Sequence, residues 1–162
     1  MYLLLIRHAI AAPLGEPAQR DEDRPLTPEG EERFRRVAEA LVHFSPKPRT
    51  IFTSPLLRAR QTADIAAQAW RNLVPQVLDA LVEGDWRLIR RALGPLDSED
   101  TVALVGHEGW ISELTATLVG SDTPPAFDFK KGGVALLEIS AKKPNRGTLH
   151  WFIPPRVLRK LG

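Results

Sequence analysis

The chain has 162 residues, 43% of them hydrophobic and 26% charged, which predicts one globular domain over residues 1–162. A net charge of +2 is too small for the basic face of a nucleic-acid-binding protein, so we expect no such partner. The absence of cysteine excludes disulfides and thiolate metal sites and fits a reducing compartment. No apolar run approaches the ~20 residues of a membrane span, and the N-terminus lacks a signal-peptide pattern. We therefore expect a cytoplasmic protein without a membrane partner.

The first part of the chain predicts a buried strand, a loop and an amphipathic helix. Residues 2–7 form an apolar run that ends in charge, as in a strand buried on both faces. Prolines and charged residues mark residues 10–26 as a loop. Thr27 and Pro28 then predict the N-cap and the first residue of a helix. Apolar residues at helical spacing predict its buried face: Phe34, Val37, Ala38, Leu41 and Val42.

The next part of the chain repeats the order of strand and helix. Residues 50–53 predict a short strand, and Ser54 with Pro55 predicts the N-cap and first residue of a second helix. Residues 74–78 suit a weak strand or an extended loop. Asp85 predicts the N-cap of a short helix that follows it.

The last part of the chain contains the clearest strand. Residues 101–105 predict a buried strand, and an amphipathic helix follows. Residues 134–139 and 148–153 predict two late strands joined by a polar turn at residues 144–147. Residues 156–161 predict a short terminal helix. Strands that alternate with helices in this way predict an α/β fold with a mostly parallel sheet.

Basic side chains stand where three predicted strands end. Arg7 and His8 directly follow the first strand. Arg58 lies at the start of the helix after the second strand, and His107 follows the strand at 101–105. Because ligands of such sheets bind outside the carboxyl ends of the strands, we expect these side chains to share a cationic pocket. A single histidine at a strand end is more often structural, so the spacing by itself leaves both interpretations open.

Phosphoryl transfer is the chemistry that such a pocket would suit. A transferring phosphoryl group spreads negative charge over its oxygens, and arginine forks bind such oxygens in a bidentate way. A histidine can be the nucleophile if one ring nitrogen is unprotonated and the other is held by a neighbour. The sequence has no visible cluster of metal ligands. We therefore expect arginine and histidine to supply the positive charge, without a metal or cofactor.

Four segments resemble a known family. Residues 5–9 (LIRHA) resemble the Arg-His-Gly signature of the histidine phosphatase superfamily, and residues 24–30 (RPLTPEG) resemble the helix opening that follows it there. Residues 54–63 (SPLLRARQTA) closely match the family's SPLxRAxQTA segment, and residues 105–108 (VGHE) are similar to its second-histidine motif. The resemblance implies a phosphoglycerate mutase-like fold, which is a three-layer sandwich with a mostly parallel central sheet flanked by helices.

The resemblance also implies a role for each matching residue. His8 would be the nucleophile that becomes phosphorylated, and water would then hydrolyse phospho-His8. Arg7 and Arg58 would bind the phosphate, and His107 would stabilise the transferred group. Arg24 is a further candidate for phosphate binding, because short members of the family often keep an arginine at this point.

Two positions depart from the family's pattern. Ala9 stands where the first signature has glycine, which costs backbone freedom and adds a methyl group. Larger members of the family use a glutamate to protonate the leaving oxygen, and the corresponding region here has no convincing match. Glu83 is the candidate general acid in that region, with an ordinary loop carboxylate as the alternative, whereas Asp85 suits a helix N-cap.

The resemblance is closest to the short SixA-type phosphohistidine phosphatases, which residues 123–127 and the glycines at 132–133 also fit. It implies that the partner is a phosphorylated histidine-containing protein domain. An N–P bond to imidazole breaks more readily than a bond to an alkoxide, so a weak acid would suffice. The alternative is a phosphatase of small phosphate esters, such as a nucleotide or sugar phosphate. A third interpretation is a non-catalytic module that binds a phospho-ligand, and the intact arginines and histidines argue against it.

Overall fold

The computed structural model describes residues 1–15, 20–71, 73–94, 99–121, 127–140 and 142–161. Its strands, in chain order, are β1 (Tyr2–Arg7), β2 (Thr50–Thr53), β3 (Gln76–Val77), β4 (Thr101–Gly106), β5 (Val134–Ser140) and β6 (Lys143–Ile153). Its helices are α1 (Pro28–Phe44), α2 (Leu57–Ala69), α3 (Trp86–Leu93), α4 (Trp110–Val119) and α5 (Pro155–Leu158). Short 3₁₀ turns lie at Asp21–Asp23 and Asp79–Leu81.

The strands form one six-stranded sheet in the order β3-β2-β4-β1-β5-β6. Strands β1, β2, β3 and β4 run parallel to one another, β5 runs antiparallel to β1, and β6 runs antiparallel to β5. The two central strands, β1 and β4, are the two with continuous apolar sequence, because both of their faces are covered. The prediction of a mostly parallel sheet is therefore confirmed.

Helices cover both faces of this sheet. Alternate residues of a strand point to opposite faces, so Leu4 and Ile6 of β1 belong to one core and Leu3 and Leu5 to the other. The first core is closed by α1, α2 and α5, and the second by α3 and α4. This arrangement is the three-layer sandwich that the family resemblance implied. Val42 of α1 does not join either core, since it is 41% exposed.

Of the three helix starts predicted from a capping residue, two begin as predicted. The Thr27 side chain accepts a hydrogen bond from Gly30 N at 2.9 Å, and Pro28 is the first residue of α1, as predicted. Asp85 caps α3 by accepting from the backbone N–H groups of residues 87 and 88. Helix α2 begins at Leu57, later than predicted, and Ser54 Oγ lies before it, where it accepts from Leu56 N at 3.4 Å and shares a hydrogen bond with His107.

The late hairpin differs from its prediction. Residues 144–147 were predicted as a turn but belong to β6, which already begins at Lys143. The pairing jumps from Ile139 with Gly147 to Ser140 with Lys143, so the intervening residues form an irregularity within the strand. The polar, glycine-containing residues 144–147 are typical of a turn. They occur within β6 because β6 is an edge strand, which tolerates such residues. Among the described residues, no helix combines the length and the apolar character needed to cross a membrane.

Candidate active site

The strand register brings three chain segments to one edge of the sheet. Arg7 pairs with Gly106 across β1 and β4, and Thr53 pairs with Val105 across β2 and β4. The residues that follow these strand ends therefore leave the sheet side by side. His8 N donates to the Gly106 carbonyl oxygen at 2.9 Å, and the His8 and His107 rings lie 5.2 Å apart between centroids. Sequence reasoning predicted this convergence, and the register is its cause.

The His8 side chain is held in one tautomer. It is 6% exposed, and its Nδ1 lies 2.7 Å from the Ala9 carbonyl oxygen. A carbonyl oxygen only accepts, so Nδ1 carries the proton and Nε2 keeps a free lone pair. Burial lowers the pKa of His8 to about 3, the Ala9 hydrogen bond opposes this, and the nearby positive charges lower it further. The ring is therefore neutral near pH 7.

The backbone on either side of His8 is fixed from two directions. Gly132 N lies 3.1 Å from both the Arg7 and the His8 carbonyl oxygens, and it has a positive φ of 82° that favours glycine. On the other side, Ala9 N donates to Thr62 Oγ1 at 3.0 Å. Ala9 itself needs no glycine-like backbone, because Arg71 is the one non-glycine residue with positive φ in the described part of the chain. The departure from the family's glycine is thus free of backbone strain.

His107 lies half-buried beside His8 and is also neutral. Its Nε2 shares a 2.8 Å hydrogen bond with Ser54 Oγ. Burial lowers the pKa of His107 to about 4, and the charges of Arg58 and Arg7 act in the same direction, while Asp21 opposes them. Ser54 was predicted as a helix cap, and its contact with this ring was missed. Ser54 is the first residue of the segment 54–63, which closely matches the family's pattern, and this position could have indicated a functional contact.

Two arginines flank the histidines. Arg7 donates to the Phe129 carbonyl oxygen, and its Nη1 lies 3.3 Å from Glu108 Oε2. Arg58 is 6% exposed, and both of its terminal nitrogens bond to Asp21, to the carbonyl oxygen at 2.8 Å and to Oδ2 at 2.9 Å. The described part of the chain offers no hydrogen-bond partner for Arg7 Nε, Arg58 Nε or His107 Nδ1, all of which are buried. Buried polar atoms without a partner are rare, and an anion would satisfy the two arginine N–H groups, and the histidine nitrogen as well if it carries the proton.

Asp21 is the residue at this site that the sequence analysis did not single out. Besides its bonds to Arg58, its Oδ1 lies 2.8 Å from Arg24 Nε. Arg24 also donates to the Ala12 carbonyl oxygen at 3.1 Å, so it is joined to the pocket through Asp21. Burial raises the pKa of Asp21, but the hydrogen bonds and charges of Arg58 and Arg24 outweigh it and lower that pKa overall. Asp21 is thus an ionised residue that covers the outer edge of Arg58.

Glu83 lies apart from this set of contacts. It is exposed in the turn between Asp79–Leu81 and α3. Within the described ranges, no hydrogen bond or ion pair joins its carboxylate to another side chain. The turn itself packs near the pocket, because the Trp110 ring covers Gly84 and Gly106 and its Nε1 donates to the Leu81 carbonyl oxygen at 3.1 Å. A general-acid role for Glu83 stays a prediction.

The geometry therefore defines a class of site. A neutral histidine with a free Nε2 stands among two arginines and a second neutral histidine, at the carboxyl edge of a parallel sheet. Such a site suits a tetrahedral oxyanion such as phosphate. Residues 123–126, which belong to the segment that resembles the SixA-type proteins, lie outside the described residues.

The chain belongs to the histidine phosphatase superfamily (branch 1), whose family model matches residues 3–92. It is 35% identical to an uncharacterized protein of Picosynechococcus sp. over 152 residues, which cover 88% of each chain. It is 28% identical to the phosphohistidine phosphatase SixA of Escherichia coli over 161 residues, covering 96% of this chain and 94% of that one. A solved structure of the protein histidine phosphatase SixA complexed with tungstate superposes with a TM-score of 0.82 at 28% identity, over 98% of this chain and 99% of that one.

Proposed function

We propose that this protein is a phosphatase that removes phosphate from phosphohistidine in a partner protein, through a covalent phosphohistidine intermediate on His8. The observation that carries the proposal is the hydrogen bond from His8 Nδ1 to the Ala9 carbonyl oxygen. It fixes the proton on Nδ1 and leaves the Nε2 lone pair for phosphorus. The low pKa of His8, about 3, keeps that lone pair available at neutral pH.

The substrate's phosphoryl group would bind among the buried donors that have no protein partner. These are Arg7 Nε, Arg58 Nε and His107 Nδ1, as far as the described residues extend. The His107 Nδ1 would carry a proton if Ser54 Oγ donates to Nε2, an arrangement that their 2.8 Å separation allows. Positive charge fixed in a buried pocket stabilises the charge that develops on the equatorial oxygens in the transition state.

The reaction proceeds in two displacements. In the first, His8 Nε2 forms a bond to phosphorus while the bond from phosphorus to the substrate's nitrogen breaks. The substrate ring enters protonated on its other nitrogen, so it takes up the electron pair of the broken bond and leaves as neutral imidazole, while His8 becomes a phosphorylated imidazolium. In the second, water attacks phospho-His8 and the bond between phosphorus and Nε2 breaks. The products are inorganic phosphate and free His8, with the protons of water shared between the phosphate and the medium. The Ala9 carbonyl oxygen holds the Nδ1 proton in place throughout.

The ion pairs of the nearby carboxylates support a substrate in which phosphorus is bonded to nitrogen. Asp21 is bonded to Arg58 and Arg24, which lower its pKa, and Glu108 is paired with Arg7. Asp21 is therefore not suited to donate a proton at neutral pH. A protonated phosphoimidazole needs less help of this kind than an alkoxide. The likeness to SixA phosphohistidine phosphatase over nearly the whole chain supports the same substrate class.

A direct test compares substrates and traps the intermediate. Radiolabelled phosphohistidine protein and a panel of phosphate esters are hydrolysed side by side, and the reaction is quenched rapidly in alkali. We expect a preference for phosphohistidine and an alkali-stable, acid-labile label on the wild-type protein, absent from His8→Ala. Turnover should be abolished in His8→Ala, and Arg58→Ala should lower kcat/KM by about 10²–10³. Arg60→Ala, an exposed arginine on the same helix, is the matched control.

Other outcomes would change the assignment. Activity that survives in His8→Ala would rule out the covalent mechanism. A preference for esters would indicate a small-molecule phosphatase, and Glu83→Gln would then be expected to impair ester hydrolysis while leaving any phosphohistidine hydrolysis nearly intact.

We further propose that no metal takes part, because arginine and histidine already supply the positive charge. A chelator should leave kcat unchanged, and activity restored only by added divalent metal would contradict this.

We also propose that residues 1–162 act as a single histidine phosphatase domain, because the sheet draws strands from both ends of the chain. A chain without cysteine suits the reducing cytoplasm, which is the location we propose.

A further inference from the structure

A second concave surface adjoins the candidate active site. It is an open groove of about 760 Å³ between the loop before β5 and the C-terminal helix α5. Arg7 lines both the groove and the site, so the groove begins where the phosphoryl group would bind. Its volume far exceeds the space that one phosphoryl group requires. The groove therefore has room for a part of the substrate beyond the phosphate.

The walls of the groove are strongly cationic. Besides Arg7, its basic lining residues are Arg33, Lys130, Lys131, Arg156 and Arg159. Asp128 is the acidic residue that lines it, and it is paired with Lys130. Arg33 is paired with Glu29 on its own helix. No carboxylate in the described part of the chain forms an ion pair with Lys131, Arg156 or Arg159, which leaves their charge available to a partner.

The apolar residues that line the groove are Ile10, Phe152, Pro154 and Pro155, and all four are half-buried. We call these four the floor of the groove and the exposed charged residues around them its rim, because Lys130, Lys131 and Arg156 are exposed. Phe152 and Pro154 are only partly buried, so they keep surface that a partner could cover. An apolar centre with a charged rim is the usual composition of a protein–protein interface, in which arginine and aromatic residues are enriched. A small polyanion would use the charges of the rim but would gain little from this floor.

We propose that the groove docks an acidic segment of the phosphorylated partner protein, with carboxylates against Lys131, Arg156 and Arg159 and apolar side chains on Phe152 and the prolines. This inference rests on the proposed function, since it names the surroundings of the phosphohistidine that the site would accept. Complementary charge at an interface rim acts mainly on the association rate and the choice of partner. The groove would thus select among phosphohistidine proteins and leave the chemistry at His8 unchanged.

The test uses two synthetic peptides that each carry one phosphohistidine. In one, the phosphohistidine is followed by glutamates interspersed with leucine, and in the other, glutamine replaces every glutamate. Free phosphohistidine is the third substrate. We expect wild type to hydrolyse the glutamate peptide with a kcat/KM about tenfold above that of the glutamine peptide, mostly through KM. The double variant Lys131→Glu/Arg156→Glu should abolish this preference and keep wild-type activity on free phosphohistidine.

Two further variants make the result specific. Lys142→Glu/Lys143→Glu makes the same change of charge at the β5–β6 hairpin, at the opposite end of β5 from the site, and should keep the preference. Lys131→Ala/Arg156→Ala should weaken the preference without adding negative charge. Raising the salt concentration should reduce the preference of wild type for the glutamate peptide over the glutamine peptide.

The outcomes separate this inference from the proposed function. If free phosphohistidine and both peptides resist hydrolysis, the proposed function fails. If all are hydrolysed and wild type does not prefer glutamate, or if the hairpin variant loses the preference equally, the docking inference alone fails. If wild type hydrolyses both peptides equally and pyrophosphate inhibits it but not Lys131→Glu/Arg156→Glu, the groove serves a small polyanion and the docking inference is overturned.

Discussion

The chemical state of His8 is decided by its immediate surroundings. In water a histidine has a pKa of about 6.5 and is a mixture of charged and neutral rings near neutral pH. Here burial and the neighbouring positive charges hold the pKa of His8 at about 3 and that of His107 at about 4. Both rings are therefore neutral where the enzyme would work, and the Ala9 carbonyl oxygen selects the tautomer of His8.

These pKa values predict that the protein loses stability in acid. Below pH 6.5 the unfolded chain takes up protons at His8 and His107 while the folded protein does not. The free energy of unfolding should therefore fall as the pH is lowered from 6.5 towards 4, by up to about 1.4 kcal/mol per pH unit for each histidine. Urea unfolding at a series of pH values measures this slope.

His8→Gln should reduce that slope, because its side chain does not titrate. His43→Gln removes an exposed histidine near the end of α1 and serves as the control. Equal slopes in His8→Gln and His43→Gln would show that burial of His8 does not shift its pKa as described.

At the scale of elements, the 3₁₀ turn at Asp21–Asp23 is joined to α2 by a network of charges. Arg58 donates to the carbonyl and to the carboxylate of Asp21, and Arg24 contacts the other carboxylate oxygen. Asp21 therefore occupies the edge of Arg58 that a phosphate oxygen would otherwise reach. A phosphate that uses this edge has to displace Asp21.

Asp21→Asn should consequently strengthen the binding of inorganic phosphate. It removes a negative charge beside the site while keeping the shape of the side chain. Because the Asp21 side chain is 57% exposed, solvent screens the effect, and we expect the inhibition constant for phosphate to fall by up to about fivefold. Asp23→Asn, an exposed neighbour in the same turn, is the matched control. Weaker phosphate binding in Asp21→Asn would mean instead that Asp21 holds Arg58 in its binding position.

At the scale of the whole molecule, the site depends on strands that are distant in sequence. β1, β2 and β4 each contribute one segment, and α2 adds Arg58. An anion bound among them would link these elements and would bind the folded state alone. Binding of this kind raises the apparent stability of the whole protein.

Inorganic phosphate should therefore raise the melting temperature of the wild-type protein. A free phosphate concentration one hundred times the dissociation constant would raise the free energy of unfolding by about 2.7 kcal/mol. Differential scanning calorimetry with and without phosphate, at constant ionic strength, measures the shift. Arg58→Ala should lose most of the shift, whereas Arg60→Ala should keep it. An equal shift in both variants would indicate that phosphate stabilises the protein at another place.

Much of the fold and the centre of the site were predictable from local sequence. The apolar runs of β1 and β4 predicted buried central strands, and Thr27 and Asp85 predicted helix starts, because these features depend on neighbouring residues alone. The late hairpin was predicted wrongly at residues 144–147, since the pairing of an edge strand depends on its partner. Arg7, His8, Arg58 and His107 were predictable as one set because each follows a strand end or a helix start.

Only the tertiary structure decided what surrounds these residues. The tautomer of His8, the bond between His107 and Ser54, and the contact of Asp21 with Arg58 depend on segments that fold together from distant positions. The cationic groove also depends on the tertiary structure. Lys131 and Arg156 are far apart in the sequence, where each appears as an ordinary surface charge, and the fold brings them to the same groove. The sequence by itself determined which basic side chains follow the strand ends and the helix start, because that depends on residue type and local position. The tertiary structure determined their protonation and their partners, because burial and electrostatic contact are properties of the folded chain.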